Sequence, residues 1–276
     1  MKKILAVSGG VDSMCLLWKY RNDSNVVVAH FDHGTRASSA EDALFVEKQT
    51  KKLNLPFCIE RAKLGPKVSE EEARSYRYAF LKKLAKNLDG EIYTAHHLND
   101  LAESIAINLS RGTSWRGLTP FSDQTIKHPF IKSGLTKNDL LKYAAKNQIT
   151  FRQDPTNTED QYLRNRIRET ITQLPQFDLL RLNDLFINQQ QKRLEIETII
   201  ASLLPEDHIF QRAWFNNLDE NVAVELLRSA LLAKNISATR PQVLEFLFAI
   251  NNYSPEKKFN LPGDHLVTMH KKYFML

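Results

Sequence analysis

The sequence is poor in cysteine, glycine and proline, with 2, 9 and 10 of them in 276 residues. Two cysteines exclude a disulfide-stapled scaffold. Cys15 and Cys58 form no CxxC pair and no metal-ligand spacing, so each reads as a free thiol among apolar neighbours. The scarcity of Gly and Pro excludes a fibrous or low-complexity chain. No apolar run approaches the roughly 20 residues that a membrane helix needs. The apolar stretch that opens the chain ends at Val7, too short for a secretory signal. These absences predict a cytoplasmic, reduced, globular protein with no membrane partner. Charge of either sign is modest, at 38 Lys+Arg against 32 Asp+Glu. Its placement is uneven: 27 basic and 20 acidic residues stand up to Gln173, and 11 and 12 after it. An anionic partner would meet the first two-thirds most strongly.

What is present alternates between strand and helix signals. Residues 4–7 and 26–31 are β-prone apolar runs, the second apolar throughout, as suits a parallel strand covered on both faces. Residues 57–61 and 91–95 read as further strands. Helical patterns lie at 14–20, 41–53, from the Ser69/Glu72 capping box to about 88, at 99–109, and from the Thr136/Asp139 box to 146. The order predicts an α/β fold, a doubly wound parallel sheet. From about 177 the apolar spacing is helical over 179–204, 218–234 and 241–250. A terminal hairpin is expected around Pro262-Gly263-Asp264, between 258–261 and 265–270. The domain boundary falls at 176: residues 1–176 form the sheet domain and 177–276 a smaller, mainly helical C-terminal one.

Chemistry-bearing residues gather at strand ends. The first strand runs into Ser8-Gly9-Gly10-Val11-Asp12-Ser13 and then a helix. A Ser/Gly loop before a helix N-terminus can cradle an anion, because exposed N–H groups and the helix dipole point at it. A plain glycine turn would have the same local composition. The loop is neither a Walker A loop, since it lacks the lysine, nor GxGxxG. The second strand ends in His30-Phe31-Asp32-His33-Gly34-Thr35-Arg36, which reads as a ligand rim or as a polar Asx turn. The fourth ends in His96-His97-Leu98-Asn99-Asp100, with Glu103 following. On a persisting strand His96 and His97 point to opposite sides, which does not suit a zinc site.

The loop resembles the SGGxDS phosphate loop (PP-loop) of ATP pyrophosphatases, the adenine nucleotide α-hydrolase-like fold. That likeness implies ATP as the nucleotide, held by Ser8, Gly9, Gly10, Val11 and Ser13, with Asp12 beside the phosphates. Further motifs follow in order: Arg111-Gly112, Gly117-Leu118, Asp154-Pro155-Thr156-Asn157 and Arg164-Asn165-Arg166-Ile167-Arg168. Together with the strand-end motifs and the tract Glu72-Ala73-Arg74-Ser75-Tyr76-Arg77-Tyr78, they resemble the tRNA(Ile)-lysidine synthetase family over residues 4–168. Asn99 stands where that family usually has Asp, Leu101 where it has Gln, Ser104 where it has Thr, and Ser114 where Gly is common. The chain also stops where longer members continue, so their additional C-terminal domain is expected to be absent.

The resemblance implies that ATP, L-lysine and the first anticodon cytidine of an isoleucine tRNA (CAU anticodon) give lysidine, AMP and pyrophosphate. Mg²⁺ would take carboxylate oxygens from Asp12 and Asp100. Asp32 or Glu103 would hold the lysine amine or accept its proton, and Arg111 would act in catalysis by meeting phosphate or transition-state charge. His33, Arg36, Asp154, Asn157, Arg164, Asn165 and Arg168 are the remaining substrate-binding candidates. The 11 basic and 6 acidic residues of 111–170 suit a nucleic-acid contact; the arginines at 164–168 also suit an exposed helix paired with Glu159, Asp160 and Glu169. The C-terminal domain would recognise the tRNA. A tRNA thiolase of the same superfamily, or a non-catalytic nucleotide-binding module, are the alternative readings.

Overall fold

The computed structural model of the chain describes residues 1–34, 39–65, 68–152 and 162–276, without the side chains of residues 70 and 162–164. Contacts divide it into two units, Met1–Gln190 and Gln191–Leu276. The first unit runs β1 (Lys2–Ala6), α1 (Val11–Tyr20), β2 (Val26–Asp32), α2 (Ser39–Lys52), β3 (Phe57–Arg61), α3 (Glu70–Leu88), β4 (Gly90–Tyr93), α4 (Leu98–Ser110), β5 (Ile126–Lys127), α5 (Pro129–Lys132), α6 (Lys137–Lys146) and α7 (Tyr162–Thr172). It ends inside α8 (Gln176–Leu203).

Its sheet has the order β3-β2-β1-β4-β5, with every pairing parallel. Alternate residues of a strand face opposite sides, and here both sides are covered. Leu5, Val26 and Val28 pack with Met14 and Leu17 of α1 and Val46 of α2. Their neighbours Ile4, Ala29, Phe31 and Ile92 pack with Phe80 and Leu81 of α3. This explains why β2 is buried along all 7 residues and is apolar apart from His30 and Asp32. The sheet is doubly wound, as expected. The strand order reverses between β1 and β4, and it is outside the carboxyl ends of strands at such a reversal that α/β sheets bind ligands.

Local signals set the helix starts. Ser69 accepts the Glu72 N–H at the head of α3, and Thr136 and Asp139 form a reciprocal capping box at the head of α6. β5 has no counterpart in the sequence reading, because two residues carry no periodicity.

The second unit contains β6 (Ile209–Gln211), α9 (Arg212–Asn216), α10 (Glu220–Ala233), α11 (Arg240–Asn252), β7 (Lys257–Leu261), β8 (His265–Met269) and β9 (Tyr273–Met275). The expected hairpin is present as β7 and β8. It is one half of a four-stranded antiparallel sheet ordered β6-β9-β8-β7. β6 and β9, three residues each, were too short to read from pattern. Phe210, Phe215, Phe246 and Phe274 centre this unit's core, with Leu227, Leu231 and Ile250 around them. The division between units also comes later than position 176. Leu179 and Phe186 of α8 pack with Leu98, Leu101 and Ile105 of α4, which keeps the start of α8 in the first unit.

Candidate active site

The loop after β1 is shaped by one hydroxyl. Ser13 Oγ accepts the N–H groups of Ser8 and Gly9, each at 3.1 Å, and donates to Gly10 O at 2.9 Å. Gly9 has φ +98°, a conformation that glycine adopts without steric cost. α1 then opens at Gly10 with no side-chain cap, leaving its first N–H groups and its dipole for an anion. From the far end of the unit, the Arg152 N–H donates to Gly9 O at 3.0 Å.

The loop forms one wall of a cavity of about 840 Å³, which also takes in Asp32, His33, Asp100 and Lys137. That volume is ordinary for a small-molecule site. At the end of β2, Asp32 is buried and its Oδ1 accepts the Gly34 N–H at 3.0 Å, the Asx turn that the sequence allowed. Gly34 has φ +61°, and a Cβ there would collide with the Ala62 carbonyl oxygen. Arg61 Nε stands 3.9 Å from Asp32 Oδ2. Ring packing against Phe31 orients His33, and its buried Nδ1 has no hydrogen-bond partner among the described residues. Burial, then the Arg77 charge, lowers its pKa.

The end of β4 separates its two histidines. His97 stands at the head of α4 between two carboxylates: its Nε2 is 3.7 Å from Asp12 and its Nδ1 is 3.4 Å from Asp100. His96 turns away to stack on Phe121 and shares the Thr94 hydroxyl with His128, at 2.9 and 2.7 Å. Burial pushes His96 well below its usual range and His128 to about 4.

Two carboxylates thus flank His97 at the phosphate end of the cavity. Burial pushes the Asp100 carboxyl up, and the nearby charges of Asp12 and Glu103 add to this against His97. Carboxylate oxygens are the donors a hard divalent cation prefers, but among the described residues no group of three or more His, Cys, Asp or Glu is arranged to hold a metal ion. Lys137 is the only lysine among the described residues lining the cavity. Its Nζ bonds both Asp12 oxygens at 2.8 Å. Its backbone N–H donates to Asn99 Oδ1 at 2.9 Å, so Asn99 satisfies a first-turn N–H of α6 beside the Thr136 cap.

Other expected site residues stand elsewhere. Glu103 is buried and receives Arg168 Nε at 3.1 Å and Nη2 at 3.4 Å; it is not among the cavity-lining residues. Arg111 is exposed at the C-cap of α4, and Asn165 is half-buried in α7. Neither lines the cavity. Arg36, Asp154 and Asn157 lie outside the described residues, as does the side chain of Arg164. The sequence reading missed Lys137 and Arg152. The capping box already placed Lys137 at the first turn of a helix; Arg152 had no local signal.

The PP-loop domain family matches residues 1–174. A tRNA(Ile)-lysidine synthase from Thermotoga maritima is 38% identical over 185 residues, 62% of this chain and 44% of that protein. One from a Synechococcus strain is 31% identical over 256 residues, 88% of this chain and 73% of that protein. The chain therefore spans less than half of the Thermotoga relative and nearly three-quarters of the Synechococcus one. Among solved structures, the U34-tRNA thiolase NcsA from Methanococcus maripaludis with its [4Fe-4S] cluster superposes with a TM-score of 0.57. Its identity is 14%, over 71% of this chain and 73% of that one, a likeness of fold alone. By the extent of these matches, the chain belongs to the tRNA(Ile)-lysidine synthase family and carries its PP-loop domain.

Proposed function

We propose that this chain joins L-lysine to C2 of the first-anticodon-position cytidine in an isoleucine tRNA with a CAU anticodon, consuming ATP. The observation that carries the reading is one cavity walled by the phosphate loop, by Asp32 and by Asp100, in a chain of this family. A cytosine C2 oxygen is a poor leaving group. Attack of that oxygen on the α-phosphorus of ATP expels pyrophosphate and gives an adenylated tRNA. The lysine ε-amine then attacks C2 and AMP departs, leaving lysidine.

Each step has residues suited to it. The amides of residues 10–13, at the uncapped head of α1, are the proposed donors to the phosphates. Asp12 and Asp100 are the proposed Mg²⁺ ligands, and the ion would neutralise charge building on the departing pyrophosphate. Asp32, fixed through one oxygen by Gly34, is the proposed group that holds the lysine ammonium and takes its proton. Glu103 already faces Arg168, so Asp32 stands first for that task. Arg111, exposed outside the cavity, suits a phosphate of the RNA. The second unit is the proposed tRNA-recognition part.

Cys15 is buried, burial pushes its thiol up to about 11, and neither cysteine lines the cavity. That placement favours lysine ligation over sulfur transfer. Among the described residues no helix is long and apolar enough to cross a membrane. The full chain, given Mg²⁺-ATP, labelled lysine and an unmodified isoleucine tRNA transcript, should attach label to the anticodon fragment and release AMP and pyrophosphate. Binding of both ATP and this tRNA with no lysine attached would overturn the reading.

A further inference from the structure

The phosphate loop has little support of its own. Gly9 holds φ +98°, and its amide leans on a single hydroxyl, that of Ser13. The outer support comes from two distant pieces of chain. On one side lies α2: a Cβ at Gly9 would stand 3.4 Å from Val46 Cγ2 and 3.6 Å from Phe45 Cδ1. On the other side the backbone N–H of Arg152 donates to Gly9 O. These two supports are themselves joined. Arg152 Nε lies 2.6 Å from Asp42 Oδ1, and Nη2 lies 3.0 Å from Glu41 Oε2. Both acids are in the first turn of α2, four or five residues before Val46.

We propose that Arg152 is a positioning residue for the phosphate loop: its guanidinium ties α2 to the segment at 151–152, and the Gly9 peptide is gripped between them. This deepens the ATP-dependent reading above and rests on it. The two ion pairs are not equal. Glu41 is 66% exposed, so its pair contributes little, whereas Asp42 is 15% exposed. Arg152–Asp42 is therefore the effective tie. Preorganised amides bind phosphate without first being ordered, so loosening the grip should appear in nucleotide affinity. A planar two-sided donor does this work better than an ammonium.

The test uses the full chain and Mg²⁺-ATP. Arg152→Met should weaken ATP binding about tenfold by calorimetry and speed amide exchange at residue 152, with little change in the melting midpoint. Arg152→Lys should recover part of the affinity. Asp42→Asn should reproduce the loss, and the double variant should be no worse than either single one, as expected for residues acting through one contact. Unchanged affinity in Arg152→Met would overturn the proposal. So would a loss in Arg152→Met that Asp42→Asn does not reproduce, since Arg152 would then meet the nucleotide directly. If the wild-type chain binds no ATP, the reading beneath it fails as well; that outcome is separate from a wild type that binds and variants that match it.

Discussion

Asp32 combines two tasks that one substitution can separate. Its Oδ1 accepts the Gly34 N–H and so holds the turn, while its charge is the proposed partner of the lysine ammonium. Asparagine keeps the acceptor and drops the charge. Asp32→Asn should therefore melt close to the wild type yet lose lysine attachment by roughly 10²–10⁴-fold, the usual worth of a positioned acid–base group. Wild-type attachment rates would remove Asp32 from the chemistry. A second residue-scale effect concerns acid. His128 is pushed down to about 4 by burial and the Arg74 charge, from an ordinary value of 6.5. Unfolded chain takes up a proton near pH 6.5 that folded chain refuses until about pH 4. Stability from this group is thus complete above pH 6.5 and is lost as pH falls through that window. His96, lowered in the same direction, deepens the loss. Replacing His128 with Asn should flatten the melting midpoint between pH 6.5 and 4.5. An unchanged acid slope would show that the histidine charges freely in the fold.

Between elements, the pair Glu103–Arg168 fastens α7 to α4. Glu103 is buried while its partner is about half exposed. Removing Arg168 takes from the buried Glu103 charge one of the contacts that compensate it. Arg168→Met should cost about 1–3 kcal/mol in urea unfolding, and adding Glu103→Gln should restore part of it. Additive losses would mean the two act separately. The same pair shows where the sequence stops being readable. The apolar runs of β1 and β2 and the capping residues at 69 and 136 announced their elements, because each signal is local. The strand-end rule brought Ser8–Ser13, Asp32 and Asp100 to one rim for the same reason. Two- and three-residue strands such as β5, β6 and β9 offer no period to detect. Lys137 meets Asp12 across 125 residues, and Arg168 meets Glu103 across 65. Nothing local marks such partners, so Arg168 reads equally well as an RNA contact or as an ion pair.

On the scale of the whole chain, charge and packing divide it alike. The basic excess belongs to residues up to 173, and the first unit holds the cavity, whereas the second unit has its own core around Phe210, Phe215, Phe246 and Phe274. That unit also carries a polar clasp. The Arg212 guanidinium donates to Ile250 O at 2.7 Å, Tyr253 O at 2.6 Å and His270 O at 3.0 Å, tying the C-terminal end of α11 to the chain after β8. These carbonyls have few alternatives, since the last C=O groups of a helix lack partners within it. Arg212→Met keeps the apolar stem and removes every donor. It should destabilise the second unit by on the order of 3 kcal/mol while leaving ATP affinity unchanged. Hydrogen exchange can resolve the two: protection should fall in peptides from β6 to β9 and persist in β1 and β2. If β1 and β2 lose protection in step, the units unfold as one cooperative body. Their separate cores would then be a feature of packing and not of stability.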